Sequence, residues 1–107
     1  MNIPSKVRIG SVDYMISRTD EIIIVNHQEC FGDIDFNKKI IRIAQNIQDI
    51  QGEEITLLHE MLHGLVYERN FEYERCDDET ITEEISRGLH QLIRDNPQVF
   101  NIVKSKS

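Results

Sequence analysis

Apolar residues in this 107-residue chain change period near its middle: they alternate with polar ones in the first half and recur at helical spacing in the second. Val7, Ile9, Val12, Tyr14 and Ile16 alternate around Gly10-Ser11, a two-residue hairpin signal, which predicts strands over 6–9 and 12–17. Residues 31–36 and 40–44 flank Asn37-Lys38-Lys39 as a second hairpin, with Ile34, Phe36, Ile41 and Ile43 on one side. Between them, Ile22 to Val25 is a short apolar run that suits either a strand or a helical turn. From Glu53 to Asn70 the residues Ile55, Leu58, Leu62, Leu65 and Val66 fall on one helical stripe. Gly52 is the expected start, with Glu53 and Glu54 in the first turn, where negative charge suits the helix dipole. A second helix over 78–94 carries Ile81, Ile85, Leu89, Leu92 and Ile93 and is stopped by Asn96-Pro97. Strands first and helices afterwards predict an α+β fold. A small antiparallel sheet from the N-terminal half would pack against the two helices, in one domain over 1–107.

The first helix contains His59-Glu60-Met61-Leu62-His63. Histidines four apart are offset by about 40° around a helix axis, so both rings can reach one ion. Glu60, about 100° on from His59, then borders the ion's open side as a general base. This is the His-Glu-x-x-His arrangement of a zinc site, here with the histidines along the edge of the apolar stripe and Thr56, Glu60 and Tyr67 further round. Catalytic zinc takes three protein ligands and keeps one position open, so one ligand remains to be found. Glu79 and Glu83, one turn apart on the second helix, lie 16 and 20 residues beyond His63. Glu79 is nearer the border of the apolar stripe. Glu83 also completes Thr80-Ile81-Thr82-Glu83, a capping box that would give it a structural role instead. Tyr67, Tyr73 and His90 are eligible donors to a developing oxyanion. Strand 40–44, just upstream of the zinc helix, would offer an edge to an extended peptide.

A net charge of −7, without clustered Lys and Arg, argues against nucleic acid as the main partner, and no basic amphipathic anchor or long apolar run points to a membrane. The acids between Glu68 and Glu84 read as a solvated surface. Cys30 and Cys76 form no Cys-x-x-Cys clip and are expected as free thiols in a reducing compartment. With no basic-then-apolar leader, cytoplasm is the expected location. His27-x-x-Cys30 has a metal-like spacing but is read as a turn residue followed by a strand residue.

Three features together resemble the small phage and mobile-element metallopeptidases related to ImmA/IrrE-type zinc endopeptidases, within the gluzincin class. They are His59-Glu60-Met61-Leu62-His63, the acidic start of the second helix at Glu79, and the run from Gly88 to Pro97. The resemblance covers roughly the second half and the preceding Ile-rich hairpin, and implies a minimal zincin-like domain. It implies Glu79 as third zinc ligand and Glu83 as the acid that orients a ligand histidine. A competing register exists: Glu83-Glu84-Ile85-Ser86 is similar to the gluzincin ligand segment, but it puts Arg87 where the orienting acid belongs. The implied function is a zinc-dependent endopeptidase that cuts a protein or peptide substrate, a repressor or other regulator on the resemblance alone. A non-catalytic, metal-stabilised interaction or regulatory domain is the alternative, and a metal-free protein with an accidental motif is a third reading.

Overall fold

Gly10 turns the chain at φ +63°, a value open to glycine at the first position of a tight hairpin turn. Strands β1 (Lys6–Ile9) and β2 (Val12–Thr19) therefore pair antiparallel, with Val7 opposite Tyr14. The structure, a computed structural model, describes residues 3–100. Ile22 to Val25 resolves as a strand: β3 (Ile23–Val25) pairs with β4 (Gln28–Cys30) in a separate ribbon, through a turn in which Asn26 and His27 both take positive φ. His27 is thus a turn residue and Cys30 a strand residue, and both cysteines are free thiols. The second expected hairpin is β5 (Gly32–Asp35) with β6 (Ile40–Ala44).

Two expectations about the sheet need correcting. Its order is β1-β2-β6-β5, and β2 runs parallel to β6, so the sheet is mixed and not antiparallel throughout. The β3–β4 ribbon delivers the chain to β5 at the end where β2 leaves off. β5 therefore runs back along the outside, and β6 returns into the place beside β2. Strand 40–44 is consequently interior, and the edge strand beside it is β5. Local periodicity specifies which residues face inward but not which strand lies next to which.

The inner face of the sheet supplies Val7, Ile9, Tyr14, Ile41 and Ile43 to a core completed by Leu57, Met61, Leu65, Leu92 and Val99. Helix α1 (Ile50–Arg69) starts three residues before the expected Glu53, because Asp49 caps it by accepting a hydrogen bond from the Gly52 N–H. Its buried side is Glu53, Thr56, Leu57, Glu60, Met61, Gly64 and Leu65, whereas Ile55 and Leu62 face solvent. The expected stripe is therefore right in part: Leu65 is in the core and Leu58 packs against it, but Ile55 and Leu62 are not buried. Apolar residues occur all round this helix, so spacing alone does not choose its buried face. The polar residues on that face have partners: Arg18 forks onto the Glu53 carboxylate at 2.8 and 3.1 Å, and the Thr56 hydroxyl bonds Gln48.

Helix α2 (Asp78–Asp95) is capped by Asp77, which accepts from the Thr80 N–H. Thr80 and Glu83 form no capping box; Glu83 pairs with Arg87 instead. Gly88 lies so close to Leu65 that any side chain there would overlap it. Asn96 ends α2 before the short α3 (Pro97–Phe100). Together with Gln91 it closes the outer edge of β1. Asn96 accepts from the Arg8 N–H at 2.7 Å and donates to the Arg8 carbonyl at 2.8 Å, and Gln91 accepts from the Gly10 N–H at 2.8 Å. Two side-chain amides thereby do the work of a missing strand. Among the described residues no helix is long and apolar enough to cross a membrane.

Asn96 is 1% exposed and its two bonds to Arg8 are partly buried, so its truncation leaves backbone groups of β1 without their partner. Asn96→Ala is expected to lower unfolding free energy by about 1–3 kcal/mol in urea denaturation. A change below about 0.5 kcal/mol would show that β1 does not depend on this clamp.

Candidate metal centre

Helix α1 crosses the β5 side of the sheet with its histidine turn at the crossing. The approach is close because residue 32 is glycine: a Cβ there would lie 2.5 Å from Thr56 Cγ2 and 2.8 Å from the Arg42 carbonyl oxygen. Glu60, 7% exposed, is held on the sheet-facing side, while His59 and His63 project from the more open flank. Their Nε2 atoms are 3.1 Å apart, with ring centroids at 4.7 Å and planes 72° from parallel.

That separation is chemically informative. Two zinc–imidazole bonds of about 2.0–2.1 Å, at a near-tetrahedral angle, place their nitrogens about 3.3 Å apart. The pair thus fits two ligands of one ion, while without an ion the same distance is a hydrogen bond to which one ring must donate. Burial, with the neighbouring His59 adding to it, pushes the His63 pKa down and favours the neutral imidazole that ligates metals.

Burial pushes the Glu60 carboxyl up, and the charge of Asp33 adds to this, while His59 opposes it. Asp33 was not singled out by the sequence. It stands on β5, in a cavity of about 410 Å³ that His59, Glu60 and His63 also line, together with Cys30 and Gly32. Arg42, its partner on β6, holds the Asp33 carboxylate in a two-pronged ion pair. Burial is again the first influence on the Tyr14 phenol, pushing it well above its ordinary range, and Glu68 reinforces this by accepting its proton at 2.6 Å. Lys39 completes this knot, bonding Glu68 at 3.2 Å and lying 5.3 Å from the centre of the Tyr67 ring.

One turn beyond His63, Tyr67 stacks on Phe36 with ring centroids 4.1 Å apart. The stack fixes the ring at the cavity's border. Of the other expected oxyanion donors, His90 is exposed on α2, and the side chain of Tyr73 lies outside the described residues. The expected third ligands do not join the histidines. Glu79 is exposed in the first turn of α2, and Glu83 is bound to Arg87. Among the described residues no three His, Cys, Asp or Glu side chains come together as a metal-holding group. The structure therefore assembles the histidine pair and Glu60, and adds Asp33 and Cys30 beside them.

Comparison with family models, curated proteins and solved structures returns no match.

The buried Glu60 carboxyl gives a test that needs no metal. Because its folded pKa is raised, folding favours the protonated form, and stability falls as pH rises past the ordinary glutamate value of 4.5. In chelator-treated protein, Glu60→Gln should melt near the wild-type temperature at about pH 4 and above it at about pH 8. Equal melting at the higher pH would mean that the carboxylate is well solvated.

Proposed function

We propose that this protein is a zinc-dependent endopeptidase in which His59 and His63 hold the ion and Glu60 moves the proton. The observation that carries the reading is the Nε2 pair at 3.1 Å beside a carboxylate buried against the sheet. Zinc, when bound, supplies Lewis acidity toward a peptide carbonyl and acidifies water. Glu60 accepts the proton of the attacking water at a carboxylate oxygen and returns it to the leaving amine. Gly32 keeps that carboxylate close to β5, and burial limits the water competing for it. Glu79, which does not join the histidines in this structure, is proposed as third ligand on the resemblance alone. Among the described residues no hydrogen bond or ion pair engages its side chain, whereas Glu83 is occupied by Arg87.

The edge of β5 is the proposed track for the peptide. Phe31 accepts from the Ala44 N–H, so alternate residues 31, 33 and 35 pair inward with β6, and Gly32 and Ile34 turn their backbone groups to the free side. Those groups border the cavity that His59, Glu60 and His63 line. A strand added there would pass the carboxylate with its backbone hydrogen-bonded. Free thiols at Cys30 and Cys76 support action in a reducing compartment such as cytoplasm. A repressor or other regulator as substrate rests on the resemblance alone.

The purified protein is expected to carry about one zinc per chain, and His59→Ala or His63→Ala to release it. Absence of stoichiometric metal, with no thermal stabilisation on adding zinc, sinks the reading.

Glu60→Gln should keep zinc and fold but lose peptide hydrolysis by several orders of magnitude, as single-turnover assays would read. Loss of metal would make Glu60 a ligand, and unchanged turnover would remove it from the reaction. A protein that keeps zinc and never cleaves would fit the interaction-domain alternative.

For the third ligand, zinc titration of Glu79→Ala should show affinity collapsing, and Glu83→Ala a loss of about 10-fold or less. The opposite order would transfer the assignment to Glu83.

A further inference from the structure

Beside His59 and Glu60 lies a second cavity, of about 370 Å³, between the start of β5 and the first half of α1. Two large apolar residues line it, Phe31 and Ile55, and they are 56% and 68% exposed. Its hydroxyl and its thiol are already engaged. The Thr56 hydroxyl donates to Gln48 at 3.1 Å, and the Cys30 thiol to the Gln28 carbonyl at 3.5 Å. Among the described residues that line it, the only ionisable groups besides that thiol are His59 and Glu60. Those two, with Cys30 and Gly32, also line the larger cavity of the histidine pair, so they form the border between the two spaces. A substrate lying on β5 reaches both.

From this we infer that the Phe31–Ile55 cavity selects the substrate by taking one bulky apolar side chain, Phe, Leu or a residue of similar size, close to the bond that is cut. The inference rests on the peptidase reading for its occupant. The volume is at the low end of the range of about 300–1,000 Å³ for ligand pockets, which suits a single side chain. An exposed Phe facing an exposed Ile gains most by covering hydrocarbon with hydrocarbon, and neither can compensate a buried charge.

Blocked hexapeptides with an Ala-Ser background, differing only in one central Phe, Leu, Ala or Asp, provide the probe. They are titrated by calorimetry into the full chain loaded with zinc and carrying Glu60→Gln, and into metal-free wild type. Phe and Leu peptides should bind about 10-fold or more tighter than Ala and Asp peptides. Phe31→Ala and Ile55→Ala should each erase most of that preference, and Ile55→Lys should turn it toward Asp. Both residues are exposed, so truncation spares the core, and a reversed preference is a gain that misfolding cannot supply. Equal affinities, no binding of any peptide, or a preference that survives both alanine substitutions overturns the inference. Cleavage of the same peptides by zinc-loaded wild type is read separately. Apolar preference in binding with no cleavage keeps the pocket and removes the peptidase reading; cleavage without preference does the reverse.

Discussion

How near α1 can come to β5 governs the geometry of the site, and that distance depends on residue 32 having no side chain. A methyl group at Gly32 would meet both the Thr56 methyl and the Arg42 carbonyl, so either the strand or the helix would have to move. Glu60 is fixed by the same contact, since it lies one turn along α1 from Thr56 on the same buried side. Helix, edge strand and carboxylate thus form one packed unit. The histidines project from that unit on a rigid helix, which is what a metal pair requires if its nitrogens are to stay a bond length from one ion.

Elsewhere the fold keeps this crossing in place by satisfying polar groups that it buries. Arg18 neutralises Glu53 near the start of α1, and the Tyr14–Glu68–Lys39 knot ties its far end to the sheet. Both links tie α1 to β2, through Arg18 and Tyr14, and Lys39 adds the turn that leads into β6. A buried carboxylate left without its partner is costly, so these contacts fix the helix's register and not merely its presence. Asn96 and Gln91 perform the equivalent task for α2, on backbone instead of charge.

Much of this was readable from residue types. Hairpins at Gly10-Ser11 and at Asn37-Lys38-Lys39 follow from alternation and turn chemistry, and α2 ends at Asn96-Pro97 because proline stops a helix. The pairing of His59 with His63 follows from helix geometry alone. What the sequence hid is non-local. Nothing local distinguishes β6 as an interior strand from β6 as an edge, and no spacing rule brings Asp33 to Glu60 across 27 positions. The buried side of α1 was hidden for another reason. Ile55 and Leu62 satisfy helical periodicity as well as Leu57 and Met61 do, and only the tertiary partners of Glu53, Thr56 and Glu60 decide between the sides. A glycine inside a strand pattern, at position 32, was the one available hint of the close crossing.

The unequal treatment of the two sheet edges also bears on self-association. Continuous growth of a sheet from copy to copy needs two open margins on every molecule, one to give and one to receive. With β1 covered by Asn96 and Gln91, the four-stranded sheet has its open margin at β5 among the described residues, so copies that join through that sheet would meet β5 to β5 in a closed, two-fold pair. In such a pair each copy's β5 would cover the other's, making crowding a brake on access to the cavity.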